Sequence, residues 1–340
     1  MKTLAQFITE KQNFIINKKL NTPHNNRYKY SPKTKEELIE NIEELIQSGI
    51  YDFNCIDTSK IIDMSYVFEN IEKIHDLNFD VSKWDVSNVT DMSALFLNCK
   101  QFNCDLSNWD VSNVENMSYM FLNCEEFDCD LHNWDVSSVV IMYGTFSGCT
   151  KLNCDLSDWN VSKVERMEFM FSDCKNFEGK GLENWDVSNV ENMSNTFNGC
   201  QKFNCDLSNW NVSKVKRMEF MFNSCEKFTG KGLENWNVSN VEHMANMFST
   251  CTNLNCDLSN WNVSNVKCMS DIFAYCINFE GNGLENWDVS NVTNMNGMFY
   301  KCEKFKGKGL ENWNVDNVQY MKNMFINCKS FKNKPSWYKK

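Results

Sequence analysis

The sequence is short of the residues that ordinarily break up a chain. Among 340 residues there are only 3 Pro and 13 Gly, too few for a collagen-like or a Pro/Gly-rich disordered protein. Basic residues are outnumbered: 34 Lys and Arg against 45 Asp and Glu leave a net charge of −11. That balance excludes nucleic acid as the main partner, because phosphate recognition needs a basic surface. No run of 18 apolar residues occurs anywhere, so no membrane-spanning helix is expected. The opening MKTLAQFITEKQNFIINKKL interrupts its apolar residues with Glu10, Lys11 and Lys18 and has no small-residue cleavage site. No signal peptide is read there, and a cytoplasmic location is the expectation from the residues alone.

What the chain has in excess is aromatic and sulfur side chains, with 25 Phe, 11 Trp, 18 Met and 17 Cys. They are periodic. Trp84, Trp109, Trp134, Trp159, Trp185, Trp210, Trp236, Trp261, Trp287 and Trp313 stand 25 or 26 residues apart. Met follows each of them at the eighth position, Phe at the twelfth and Cys at the fifteenth, from Cys99 to Cys328. The two repeat lengths differ at one junction. The shorter reads FNCDLSNW and carries a second cysteine such as Cys104 or Cys129, whereas the longer reads FEGKGLENW with Gly179 and Gly181. An insertion confined to that spot marks a loop, where Gly permits a bulge or a left-handed turn.

A lone repeat cannot fold. Its eight or so apolar side chains supply about 1.5 to 3 kcal/mol each when buried, against about 1 to 2 kcal/mol of backbone ordering for every residue. Stacked repeats bury each other's flanks, which is the logic of a solenoid. Within one unit, the alternation around Leu106 to Val111 reads as a short strand. Val114, Met117, Phe121 and Cys124 then step by three and four, which reads as one or two helical turns capped by Ser112. The expected fold class is therefore an α/β solenoid, leucine-rich-repeat-like, of about eleven coils of 25 to 26 residues. It has one short strand and one short helix per coil, and extends roughly 50 Å at ~4.8 Å per coil.

The flanks differ. Residues 1–30 read as an N-terminal extension and 31–55 as a helical cap, in which Thr34 and Glu37 form a capping box ahead of Leu38, Ile39, Ile42, Leu45 and Ile46. A degenerate repeat opens the solenoid at Ile56, which runs over 56–331. Residues 332–340 form a basic tail in which Pro335 and lysines blunt the last edge.

The phrase WDVSNVTDM, continued by the Met, Phe and Cys positions and closed by DLSNW, resembles the short repeats of BspA-like bacterial leucine-rich surface proteins, over residues 56–331. The resemblance implies a leucine-rich-repeat-like solenoid of the kind found on surface proteins that bind host or matrix molecules, with no catalytic residues. It thus points to the cell surface, where the N-terminal residues point to the cytoplasm.

Other chemistry is weighed against packing. Zinc is not expected: the C-x4-C pairs exchange their second Cys for Gly in alternate units, and the four His (His24, His75, His132, His243) are scattered. Equivalent cysteines in neighbouring coils lie within disulfide reach, yet free buried thiols are the preferred reading, since Cys is a small and commonly buried hydrophobe. The Met and Phe stripes read as core. Gly179-Lys180-Gly181 lacks the ending of a phosphate loop, and Asn160-Val161-Ser162 reads as turn rather than sequon. No recurrent triad is present, so no enzyme and no cofactor are expected.

The residue between Trp and Val is the candidate interaction stripe: Asp85, Asp110, Asp135, Asn160, Asp186, Asn211, Asn237, Asn262, Asp288 and Asn314. Stacked in register and facing outward from the strand, these side chains form either a polar ladder or a recognition face. Charge is uneven as well. Residues 301–340 hold ten Lys against three acids, a surplus of +7 that leaves −18 on the preceding 300, and so end-to-end or end-to-side self-association is open to the molecule. The function expected is a non-enzymatic protein-interaction module, adhesion-like in the light of the resemblance, with an unidentified protein or matrix ligand. A structural or self-assembling scaffold is the rival.

Overall fold

The computed structural model describes residues 28–338. Residues 1–27 of the expected N-terminal extension lie outside them, as do the last two lysines of the tail.

Helix α1, Lys35–Gln47, forms where the capping box placed it. Thr34 Oγ1 accepts the Glu37 N–H at 3.2 Å, and Glu37 Oε2 accepts the Lys33 N–H at 2.7 Å. Its apolar face, Leu38, Ile42, Leu45 and Ile46, is buried at the head of the repeats.

The repeats themselves overturn the α/β expectation. Among the described residues α1 is the only α-helix, five single-turn 3-10 segments accompany it, and there is no extended sheet. The repeats are joined by isolated parallel bridges, as in Asp91 to Asn116, Asn116 to Ile141 and Ile141 to Arg166, continuing to Asn294 and Tyr320. The chain is a column of stacked turns, without one strand and one helix per coil.

Hydrogen bonding explains the correction. The expected strand at Leu106 to Val111 closes on itself, with the Trp109 N–H donating to Leu106 O at 3.0 Å and the Val114 N–H to Val111 O at 2.9 Å. The expected helix after Val114 is a series of three-residue turns: Met120 to Met117, Leu122 to Tyr119 and Cys124 to Phe121. The N–H groups between them point along the column instead. Tyr119 donates to Tyr143 O, Phe121 to Thr145 O and Asn123 to Ser147 O, at 2.7 to 2.8 Å. An α-helix needs every N–H for its own i−4 carbonyl, and half of them are used elsewhere. Left-handed backbone at Tyr119 (φ 57°) and Asn123 (φ 60°) breaks the helical path in each coil. Turns that close every three residues reproduce the three-and-four spacing, which is why the pattern reads as helix.

Stacking puts like side chains on like. The column of Phe68, Phe96, Phe121, Phe146, Phe171 and their successors to Phe325 has ring centroids 5.4 to 5.8 Å apart. Trp109 lies on Trp134 with centroids 6.5 Å apart and planes 2° from parallel. Each indole also donates across the column, as Trp134 Nε1 does to Leu106 O at 3.0 Å, so a buried N–H is satisfied. Trp337 continues this column: its ring stacks on Trp313 and its Nε1 donates to Leu310 O. At the longer junction Gly181 is left-handed (φ 91°) ahead of the turn Leu182–Asn184. A Cβ there would lie 2.2 Å from the Ser157 backbone N, so the close approach of coils requires glycine.

Candidate functional site

All ten stripe residues are exposed and recur at one place in successive coils. They stand in turns, not on a strand. In each, Oδ1 accepts the backbone N–H two residues on: Ser87 to Asp85 at 3.1 Å, Ser112 to Asp110 at 3.1 Å, Ser162 to Asn160 at 3.1 Å and Ser290 to Asp288 at 3.0 Å. These are Asx turns, in which the side chain takes the place of a backbone turn acceptor. The Ser137 and Ser188 hydrogen bonds hold the carboxyls of Asp135 and Asp186 below the usual carboxylate range. Asp and Asn serve equally, since only Oδ1 is used, and that accounts for the mixture of the two along the stripe.

Cross-coil polar bonding falls to a residue that the sequence reading passed over, the Asn three places further on. Asn113 Nδ2 donates to Ser87 O at 2.8 Å, Asn189 to Ser162 O at 2.7 Å and Asn265 to Ser239 O at 2.7 Å. Its signal was present in the recurring SNV phrase.

Fifteen of the 17 cysteines form two columns of free thiols, Cys55 and Cys268 standing outside them, and all are buried except Cys55, Cys256 and Cys268. Cys124 Sγ donates to Phe96 O at 3.0 Å and Cys149 Sγ to Phe121 O at 3.1 Å, each reaching back one coil. Burial pushes the Cys99 and Cys154 thiols up to about 12. Among the described residues no group of three His, Cys, Asp or Glu is placed to hold a metal ion, and no helix is long and apolar enough to cross a membrane.

The coils differ from one another on another face, that of the bridging position seven residues after Trp. Asp91, Asn116, Ile141, Arg166, Asn192, Arg217, His243, Cys268, Asn294 and Tyr320 occupy it in turn, with Asn recurring three times and Arg twice. Next to it, Tyr119, Tyr143 and Phe169 form a surface row, with centroids 5.0 and 5.5 Å apart and the Arg166 guanidinium 5.2 Å over the Tyr143 ring. Arg166 and Asn192 converge on Oε1 of the buried Glu168. Side chains exchangeable in chemistry at fixed backbone positions let such a face differ at every step.

The column of near-identical turns defines a tandem-repeat protein. A family described as "Mycoplasma protein of unknown function, DUF285" matches residues 36–159, 140–255 and 224–338, and the chain belongs to that family. Membership supports the repeat character read from the sequence and does not extend to the BspA-like name. A comparison with curated proteins finds no match.

Proposed function

We propose that the chain is a non-enzymatic protein-interaction module whose recognition face is the one that varies from coil to coil. The observation that carries this is the contrast between a core repeated in every unit and the changing bridging position beside it. Invariant core positions hold a scaffold; half-buried and exposed positions that change chemistry on a fixed backbone give successive coils different surfaces. The Asp and Asn stripe is the weaker candidate, because it repeats the same chemistry and its Oδ1 atoms serve their own turns.

The experiment is capture of partners by the full chain and two variants. Ile141→Asn with His243→Asn alters the varied face, and Asn already stands at that position as Asn116, Asn192 and Asn294. Asp85→Asn with Asp110→Asn and Asp135→Asn removes charge from the stripe while keeping the Asx acceptors. Loss of capture by the first variant is expected. Loss only by the second, strongest at low salt where exposed charges are least screened, would move recognition to the stripe. Unchanged capture by both would favour the scaffold reading. The adhesion-like refinement rests on the resemblance, and is tested by locating the chain in fractionated cells.

A further inference from the structure

We propose that the side of coil 313–331 facing away from coil 287–312 docks an extended, Asp- and Glu-rich segment of a partner protein, which continues the ladder of coil-to-coil hydrogen bonds. This is a second interaction surface, and it stands apart from the varied face.

Coil 287–312 gives four N–H groups forward. Met295 donates to Tyr320 O, Gly297 to Lys322 O, Phe299 to Met324 O and Lys301 to Ile326 O, at 2.7 to 3.0 Å. The equivalent donors one coil on are the N–H groups of Met321, Asn323, Phe325 and Asn327, and among the described residues nothing accepts them. Left-handed backbone recurs at Asn323 (φ 61°) and Asn327 (φ 62°) as in the coils before, so the row keeps the shape that meets a following coil. Its flank is open as well. Val315, Val318 and Met321 are half-buried, whereas Val289, Val292 and Met295 one coil earlier are fully buried. Residues 332–338 cover only the aromatic half of this side, where Trp337 stacks on Trp313 and the Tyr338 ring lies 4.9 Å from Phe325. A row of unbonded backbone groups beside apolar side chains is a template for another chain.

Charge selects the class of segment. Residues 313–338 carry Lys322, Lys329, Lys332 and Lys334 against Asp316 alone. The column pairs equal positions in neighbouring coils: Lys329 with Glu303, both sixteen residues after a Trp, and Lys306 with Glu280, both nineteen after. Lys332 stands nineteen after Trp313 and has no such partner among the described residues. A second copy fits poorly, because the same end of its column is basic too and α1 covers the other. A segment that answers these donors exists within the molecule. The carbonyls of Asn116, Ser118, Met120 and Leu122 accept from Met92, Ala94, Phe96 and Asn98. That stretch is acidic, residues 113–128 holding Glu115, Glu125, Glu126 and Asp128 with no Lys or Arg.

The test is fluorescence anisotropy of the full chain, under reducing conditions, with a labelled peptide of residues 113–128. One control peptide scrambles its sequence at equal charge, and another replaces its four acids by Gln and Asn. The native peptide should bind at least about tenfold tighter than either, a difference of hot-spot size. Hydrogen exchange at Met321, Asn323, Phe325 and Asn327 should slow in the complex. Lys322→Glu with Lys332→Glu should weaken binding by about tenfold or more. Lys151→Glu with Lys175→Glu, the same change in net charge at exposed positions of other coils, should leave it unchanged. If the first double variant does not fold, Lys332→Glu alone gives the same reading. Equal binding of the three peptides, no slowing of exchange at the four amides, or equal losses in the two lysine variants would overturn the docking edge. So would self-association abolished by Lys322→Glu with Lys332→Glu, which would make a second copy the occupant. The varied face is read separately, by capture with Ile141→Asn and His243→Asn, so either surface can fail without the other.

Discussion

Phe171 lies fully buried between Phe146 and Phe197, 5.7 Å from each ring. Phe171→Ala would open a cavity bounded by two coils that cannot collapse toward each other without breaking their bridges. It should cost about 3 to 5 kcal/mol in a denaturant melt. Phe220→Ala, on an exposed side chain, should cost far less, and equal losses would contradict the assignment of core and surface. The thiols make a second prediction at this scale. Burial raises Cys99, Cys104, Cys129, Cys154 and Cys205 to about 12 from the usual 9.0. The folded state therefore keeps protons that the unfolded chain loses above pH 9. Each such thiol contributes stability that is intact below pH 9 and drains away toward pH 12, at about 1.4 kcal/mol per pH unit. Unfolding midpoints should drop steeply above pH 9. Native protein should react slowly with a thiol reagent and unfolded, unreduced protein should titrate close to 17. A midpoint flat to pH 11 would show that these thiols are not buried.

Among the elements, α1 was legible because its signals are local: Thr34 and Glu37 satisfy N–H groups within one turn, and the apolar spacing that follows is uninterrupted. The coils were legible in period, core and junction but not in backbone. Val114, Met117 and Phe121 share a side in an α-helix and in successive closed turns alike, so periodicity alone does not separate the two. The deciding cue lay in Gly144 and Gly148, which stand where Tyr119 and Asn123 stand one coil earlier and reveal two left-handed positions. Tyr and Phe at those positions in other coils conceal it. The Asn113 bonds were missed for a related reason, since a donor that reaches back 26 residues has no local signature. Junction glycines supply the prediction at this scale. Gly181→Ala meets Ser157 backbone at 2.2 Å and requires left-handed φ, and should destabilise by well over the ~1 kcal/mol of an ordinary glycine exchange. Lys180→Ala beside it removes only a surface ion pair with Asp155, worth about 0 to 1 kcal/mol. Thermal melts of the two should separate clearly.

For the whole molecule, bonding that runs from each coil to the next makes stability a sum over neighbours. The bridges join Asp91 to Asn116 and Asn116 to Ile141 at the same register, with the Trp, Phe and Cys columns in step. Any complete unit is therefore exchangeable for its neighbour. Deleting residues 109–133 joins Asn108 to Trp134 and restores the phrase SNW. Trp134 then falls where Trp109 stood, within reach of Val81 O, the acceptor of Trp109 Nε1. The shortened protein should fold cooperatively, keep its near-ultraviolet circular dichroism per tryptophan, and lose about 4.8 Å of length in small-angle scattering. Deleting residues 109–120 instead removes half a coil. It places Phe121 where Trp109 belongs, so every later side chain meets the wrong partner in the preceding coil. That protein should unfold or aggregate. Equal stability of the two deletions would mean that the coils fold independently of register, which the continuous indole, phenyl and thiol columns do not allow.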